Sequence, residues 1–182
     1  TKCNWGDGLS SVQATPLWIA ANVGKRDVID FLAAKGGNLR YSVQNGGSLL
    51  HAAAMSGQPE VIKYLAQKGL SVDAKADFPA SMPMVRGWKS ITPLGVAVHY
   101  GQIEAVKALI DAGANVNELY GDDWNALSVG CVMRDREVVA FLLEKGATLT
   151  IDASNIGNIN TSDEIKALLR AHFSRATGDT PR

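Results

Sequence analysis

The chain has 182 residues, with 18 Lys+Arg against 18 Asp+Glu for a formal net charge of zero, and 46% of its residues are hydrophobic. A balanced charge with no polybasic block excludes a nonspecific phosphate-backbone binder, so no nucleic-acid partner is expected. The composition supports one globular domain with its own core, and no apolar run reaches the roughly 20 residues that cross a bilayer.

Residues 1–14 (TKCNWGDGLSSVQA) place Trp5, Leu9 and Val12 among turn formers. They predict an N-terminal arm and cap on the first helical unit, with Trp5 as a cap residue. Thr15-Pro16-Leu17 then opens a helix as N-cap, first-turn proline and first apolar position. Gly24 supplies a turn, Val28, Ile29, Phe31 and Leu32 mark a second helix, and Gly36 stops it. The tight-turn signal Asn45-Gly46-Gly47 leads into Ser48-Leu49-Leu50, Gly57, a Pro59 start, the run Val61-Ile62-Tyr64-Leu65, and Gly69.

The third unit, Thr92 to Asn117, is the most regular. Thr92-Pro93-Leu94 opens it, Gly101 turns it, Val106, Leu109 and Ile110 repeat at helical spacing, and Gly113 ends it. Tyr120-Gly121-Asp122-Asp123-Trp124 reads as a hairpin. The fourth unit starts at Asn125-Ala126-Leu127, carries Arg134 where the others have a turn glycine, and stops at Gly146. Thr161-Ser162-Asp163-Glu164 reads as a capping box, and Ile165, Leu168, Leu169 and Phe173 form the stripe of a C-terminal cap helix. Ser174 to Arg182 is expected to be disordered.

Units one and two, and units three and four, start 33 residues apart, with the turn and stop positions in the same register. Two helices of this length bury their apolar faces only by stacking on copies of themselves. Period, glycines and apolar pattern together closely resemble the ankyrin repeat over roughly residues 15–150. The resemblance implies an all-α ankyrin-repeat solenoid of helix-turn-helix units joined by hairpin loops, with four repeats plus terminal caps. The repeats fall at 15–47, 48–91, 92–124 and 125–150, followed by a cap helix within 151–173 and the tail 174–182. Repeat two carries the one large break in the pattern, an insertion within 74–91 (AKADFPASMPMVRGWKSI).

In the family, a His at the fourth position of the repeat bonds toward the neighbouring hairpin. Only His51 keeps it, while Trp18, Gly95 and Ser128 depart from it, so His51 is expected to be structural. His99 is expected at a variable surface position. No HExxH or CxxC spacing occurs, and the Asp122–Asp123 pair lacks the oxygen set of a cation site, so neither metal nor cofactor is expected. Layers that advance on the order of 10 Å each put Cys3 and Cys131 out of disulfide reach. Cys131 is expected as a buried thiol, and Cys3 as a free thiol in preference to a lipid-attachment site.

The resemblance further implies a concave face built from first-helix positions and hairpin tips. By register these are Asn22, Val23, Met55, Ser56, His99, Tyr100, Val132 and Met133, with Gln44, Asn45, Trp88, Lys89, Ile91, Asp122 and Trp124. The predicted partner-binding set is Met55, Arg86, Trp88, His99, Tyr100, Tyr120, Asp122, Trp124 and Met133, rich in the residue types found at interface centres. The inserted loop is read two ways: as a binding element, or as a segment that folds back on the array. A non-catalytic protein-binding module, expected as a monomer, is the first functional reading. An inhibitor or immunity protein for a secreted toxin or enzyme, suggested by a bacterial cast to the sequence, is an alternative within the binding class. A small-molecule or enzyme site under the loop is the other class, set against the absence of any nucleophile–base–orienter trio. The compartment is expected to be cytoplasmic, or periplasmic or secreted had a leader preceded residue 1.

Overall fold

The computed structural model describes residues 15–42, 47–77, 89–121, 124–150 and 160–177. Among them run nine helices: α1 Pro16–Asn22, α2 Arg26–Ala34, α3 Leu49–Met55, α4 Pro59–Gln67, α5 Pro93–His99, α6 Ile103–Asp111, α7 Ala126–Met133, α8 Arg136–Glu144 and α9 Asp163–Thr177. The first eight form four pairs in the predicted register.

Three of the four first helices begin on a side-chain cap three residues from the amide it satisfies. Thr15 Oγ1 accepts from the Trp18 N–H, Thr92 Oγ1 from Gly95, and Asn125 Oδ1 from Ser128. The turns between paired helices need a left-handed residue. Gly24, Gly57 and Gly101 take it at φ 65° to 75°, and Arg134 takes it at φ 59° without a glycine's freedom.

The pairs stack in sequence, α1 on α3, α3 on α5 and α5 on α7, with α4 on α6 in the second row and α9 on α8. Leucines at fixed register build the core between the rows: Leu50, Leu94 and Leu127 from the first helices, and Leu65, Leu109 and Leu142 from the second, are all buried. Each of these contributes about 1.5–3 kcal/mol relative to exposure. At the amino-terminal end the pattern breaks. Val28 and Phe31, predicted as apolar positions of the second helix, are 39% and 61% exposed, because no described layer precedes them, whereas their counterparts Val61 and Tyr64 are covered by the first pair. Cys131 is fully buried, and burial pushes its thiol up to about 11; Cys3 lies outside the described residues.

At the carboxyl end two expectations shift. The cap of α9 is Ser162, whose Oγ accepts from the Ile165 N–H, one residue later than the predicted capping box, and Thr161 is buried instead. The helix also continues through Ser174 to Thr177, into the stretch expected to be disordered. Ile165 and Leu169 are its fully buried residues.

Candidate functional site

The fourth position of the repeat, third in its first helix, bears on how a hairpin sits on the array. In repeat two His51 accepts from the Ser48 N–H at Nδ1 (3.1 Å), and its Nε2–H donates to the Ile91 carbonyl across the layer boundary (3.1 Å). Both bonds need the neutral ring with its proton on Nε2, and burial pushes its pKa down to about 4. In repeat three Gly95 clears the same space. A Cβ there would meet Ile91 Cγ1 at 2.8 Å and the Tyr120 ring at 2.9 Å, so the phenol occupies the room a histidine would need. In repeat four Ser128 donates to Asn125 Oδ1, while Asn125 Nδ2 donates to the Thr148 carbonyl.

These contacts fix two hairpin bases. Ala76 and Ile91 exchange backbone bonds of 3.0 and 2.9 Å, closing the base of the insertion. Tyr120 and Trp124 do the same at 2.9 and 3.1 Å, closing the hairpin between repeats three and four. Side chains tie successive hairpins together. Asp73 Oδ1 accepts from the Asn115 N–H, Asn117 Oδ1 accepts from Thr148, and Lys75 pairs with Glu118 at 2.8 Å while donating to the Leu119 carbonyl. The lysine holds the Glu118 carboxyl below its ordinary range, whereas burial raises that of Asp73.

On this frame the predicted site residues divide. Met55, Tyr100 and Met133 sit half-buried where first helices end, packed against the core, and Trp124 is 38% exposed on its hairpin. Val23, at the same register as Tyr100 and Met133, is exposed, and Asn22 donates to Ser56 Oγ and the Ala52 carbonyl. Three expectations are corrected. His99 is 5% exposed, buried and edge-to-face on Tyr100 (ring centroids 5.1 Å) instead of lying at the surface, and burial lowers its pKa. Tyr120 is 3% exposed, because its ring fills the space over Gly95. Ile91 is fully buried as the acceptor for His51. Gln44, Asn45, Arg86, Trp88 and Asp122 lie outside the described residues, as do Phe78 and Asp123.

Sequence reasoning missed Leu119, which is 46% exposed one residue before the Tyr120–Trp124 bridge. The signal was available. Neighbours in extended chain face opposite ways, so an inward Tyr120 turns Leu119 outward. The arrangement offers apolar and aromatic surface, with Lys75 and Glu118 paired at the base of the hairpin. Among the described residues no three His, Cys, Asp or Glu side chains gather as a metal would require, and no helix is long and apolar enough to cross a membrane.

A family model described as ankyrin repeats (three copies) matches residues 2–76 and 80–155. Similar proteins include the ankyrin repeat domain-containing protein SAT10 of Stachybotrys chartarum, 27% identical over 138 residues, which cover 76% of this chain and 6% of that protein. Protein phosphatase 1 regulatory subunit 12A of Mus musculus is 33% identical over 108 residues, 58% of this chain and 9% of the relative. The glycerophosphocholine phosphodiesterase gde1 of Schizosaccharomyces pombe is 28% identical over 118 residues, 64% of this chain and 10% of the relative. The chain thus spans at most a tenth of the length of these three proteins.

Proposed function

The chain belongs to the ankyrin repeat family, and from that membership we propose that it binds a protein partner, without catalysis, through the face formed by first-helix ends and hairpin tips. Ankyrin repeats generally serve as protein-interaction modules. The finer reading is that the partner rests on Leu119 and Trp124, with Tyr100, Met133 and Met55 beneath, and that the inserted loop with Arg86 and Trp88 sets specificity. The observation that carries it is the pair Leu119 and Trp124, large apolar side chains left exposed on a hairpin whose backbone is tied down on both sides. Rigid, partly exposed aromatic and aliphatic anchors are what interface hot spots are made of. That a relative is named as a regulatory subunit of a protein phosphatase is in keeping with such a role, though that partner is not carried over.

The test is affinity capture with the intact chain against a Leu119→Ala/Trp124→Ala variant and a second-row control, Lys107→Glu, followed by binding measurements on the purified prey. Loss of a hot-spot residue costs about 2 kcal/mol or more, so Kd should weaken at least about thirtyfold in the double variant and stay put in the control. Equal affinity for all three, with melting unchanged, would remove this face from consideration.

A further inference from the structure

The two closed hairpin bases share one register. Ala76 and Tyr120 each lie seven residues beyond a stop glycine, and Ile91 and Trp124 each directly precede an N-cap. The Tyr120–Trp124 bridge encloses residues 121–123, whereas the Ala76–Ile91 bridge encloses 77–90, so the whole insertion is carried above a base of ordinary register. That base has a second rung. The Ser90 N–H donates to Asp77 Oδ1 at 2.7 Å, a charge-assisted bond that joins the first and last residues of the insertion. It is made against a backbone cost, because Ser90 sits at φ 57°, in the left-handed region that favours glycine. Arg134, the other described residue of this kind, occupies a helix turn where the other repeats place glycine. Ser90 stands at no such turn, and a conformation of this sort persists only where its surroundings hold it.

The neighbouring hairpin shows what the rung holds in place. Gly121 turns at φ 58°, and a Cβ built on it would come within 3.7 Å of the Lys89 carbonyl oxygen, so the chain just before Ser90 runs against that turn. On the other foot of the insertion, Lys75 donates to the Leu119 carbonyl and pairs with Glu118. Both feet therefore engage the hairpin that carries Leu119 and Trp124.

We infer that Asp77 and Ser90 are positioning residues of the proposed binding face, a role that rests on that reading. Their rung holds Lys89 against the Gly121 turn, so that a partner resting on Leu119 and Trp124 meets the foot of the insertion as part of the same rigid surface. Holding the two together before binding lowers the ordering cost that association would otherwise carry.

NMR on the full chain tests it with Asp77→Ala, which removes the acceptor, and Asp77→Asn, which keeps one. The Ser90 amide should exchange about tenfold or more faster in Asp77→Ala, the worth of a charge-assisted bond, while the Ile91 amide one rung below stays unchanged. The Gly121 amide resonance, 44 residues along the chain from Asp77, should shift in Asp77→Ala and return in Asp77→Asn. Ser90 exchange indifferent to Asp77→Ala would overturn the inference, as would a Gly121 resonance that stays put once the rung is open. For the prey purified by capture, Kd should weaken about tenfold in Asp77→Ala and recover in Asp77→Asn. The two readings fail separately. A Leu119→Ala/Trp124→Ala variant that binds like the intact chain removes the face, and with it the purpose of the rung, even where exchange and resonance behave as expected. Loss of binding in that variant with Asp77→Ala at full affinity keeps the face and overturns the positioning role.

Discussion

Protonating His51 breaks a bond that the fold needs, because Nδ1 accepts from the Ser48 N–H and cannot do so once it carries a proton. Its folded pKa, about 4, lies below the ordinary 6.5. The unfolded chain therefore takes up the proton first as pH falls. The stabilisation is complete above about pH 6.5, declines through the window between 6.5 and 4, and is gone below it. The full span is on the order of 3 kcal/mol. His51→Gln should lower stability at pH 7 and flatten that window in urea titrations run at several pH values; an undiminished slope in the variant would assign the pH dependence elsewhere. The structural role of His51 was legible in the sequence, since the helix-opening motif around it predicts a bond toward the next hairpin and Ile91 is there to receive it. The burial of Tyr120 was not. It depends on the space Gly95 leaves, a relation between residues 25 apart that no local spacing records.

At the level of elements, the turn joining α7 to α8 is the one short connection between paired helices that lacks glycine. A side chain in the left-handed region costs roughly 1–2 kcal/mol, partly offset by the smaller freedom Arg134 has in the unfolded chain and by its exposed bond to Asn160 at 3.3 Å. Arg134→Gly should raise stability by about 0.5–1 kcal/mol, or Tm by a few degrees. The reciprocal Gly101→Arg, at φ 65°, should lower it. A thermal melt in which both changes move Tm the same way would contradict this account. Element existence was readable here because helix period, N-caps and stop glycines agree. Element ends were less so: Ser162 and Thr161 offer equivalent hydroxyls, and which of them caps α9 is decided by the burial of Ile165 and Leu169 against α8, a tertiary choice.

Among the described residues the core is built layer by layer. Each first helix packs chiefly on the next, so stability should be a sum of layer and nearest-neighbour terms. The site inherits this: Leu119 and Trp124 are held by repeats two and three through Lys75, Glu118 and the Tyr120 base. Loosening one end should therefore propagate inward only by degrees. Ending the chain after Asn160 removes α9 and uncovers the partners of Ile165 and Leu169, a loss of a few kcal/mol at that boundary. Amide exchange should then accelerate strongly in α7 and α8, weakly in α5 and α6, and not at all in α3 and α4. A uniform acceleration through all four pairs would instead mean that the array opens as one cooperative unit. The graded outcome carries a consequence for binding. The hairpin bearing Trp124 lies between the layers that loosen and those that hold, so a partner that grips it should restore protection to α7 and α8 in the shortened chain, by mass action on the closed state.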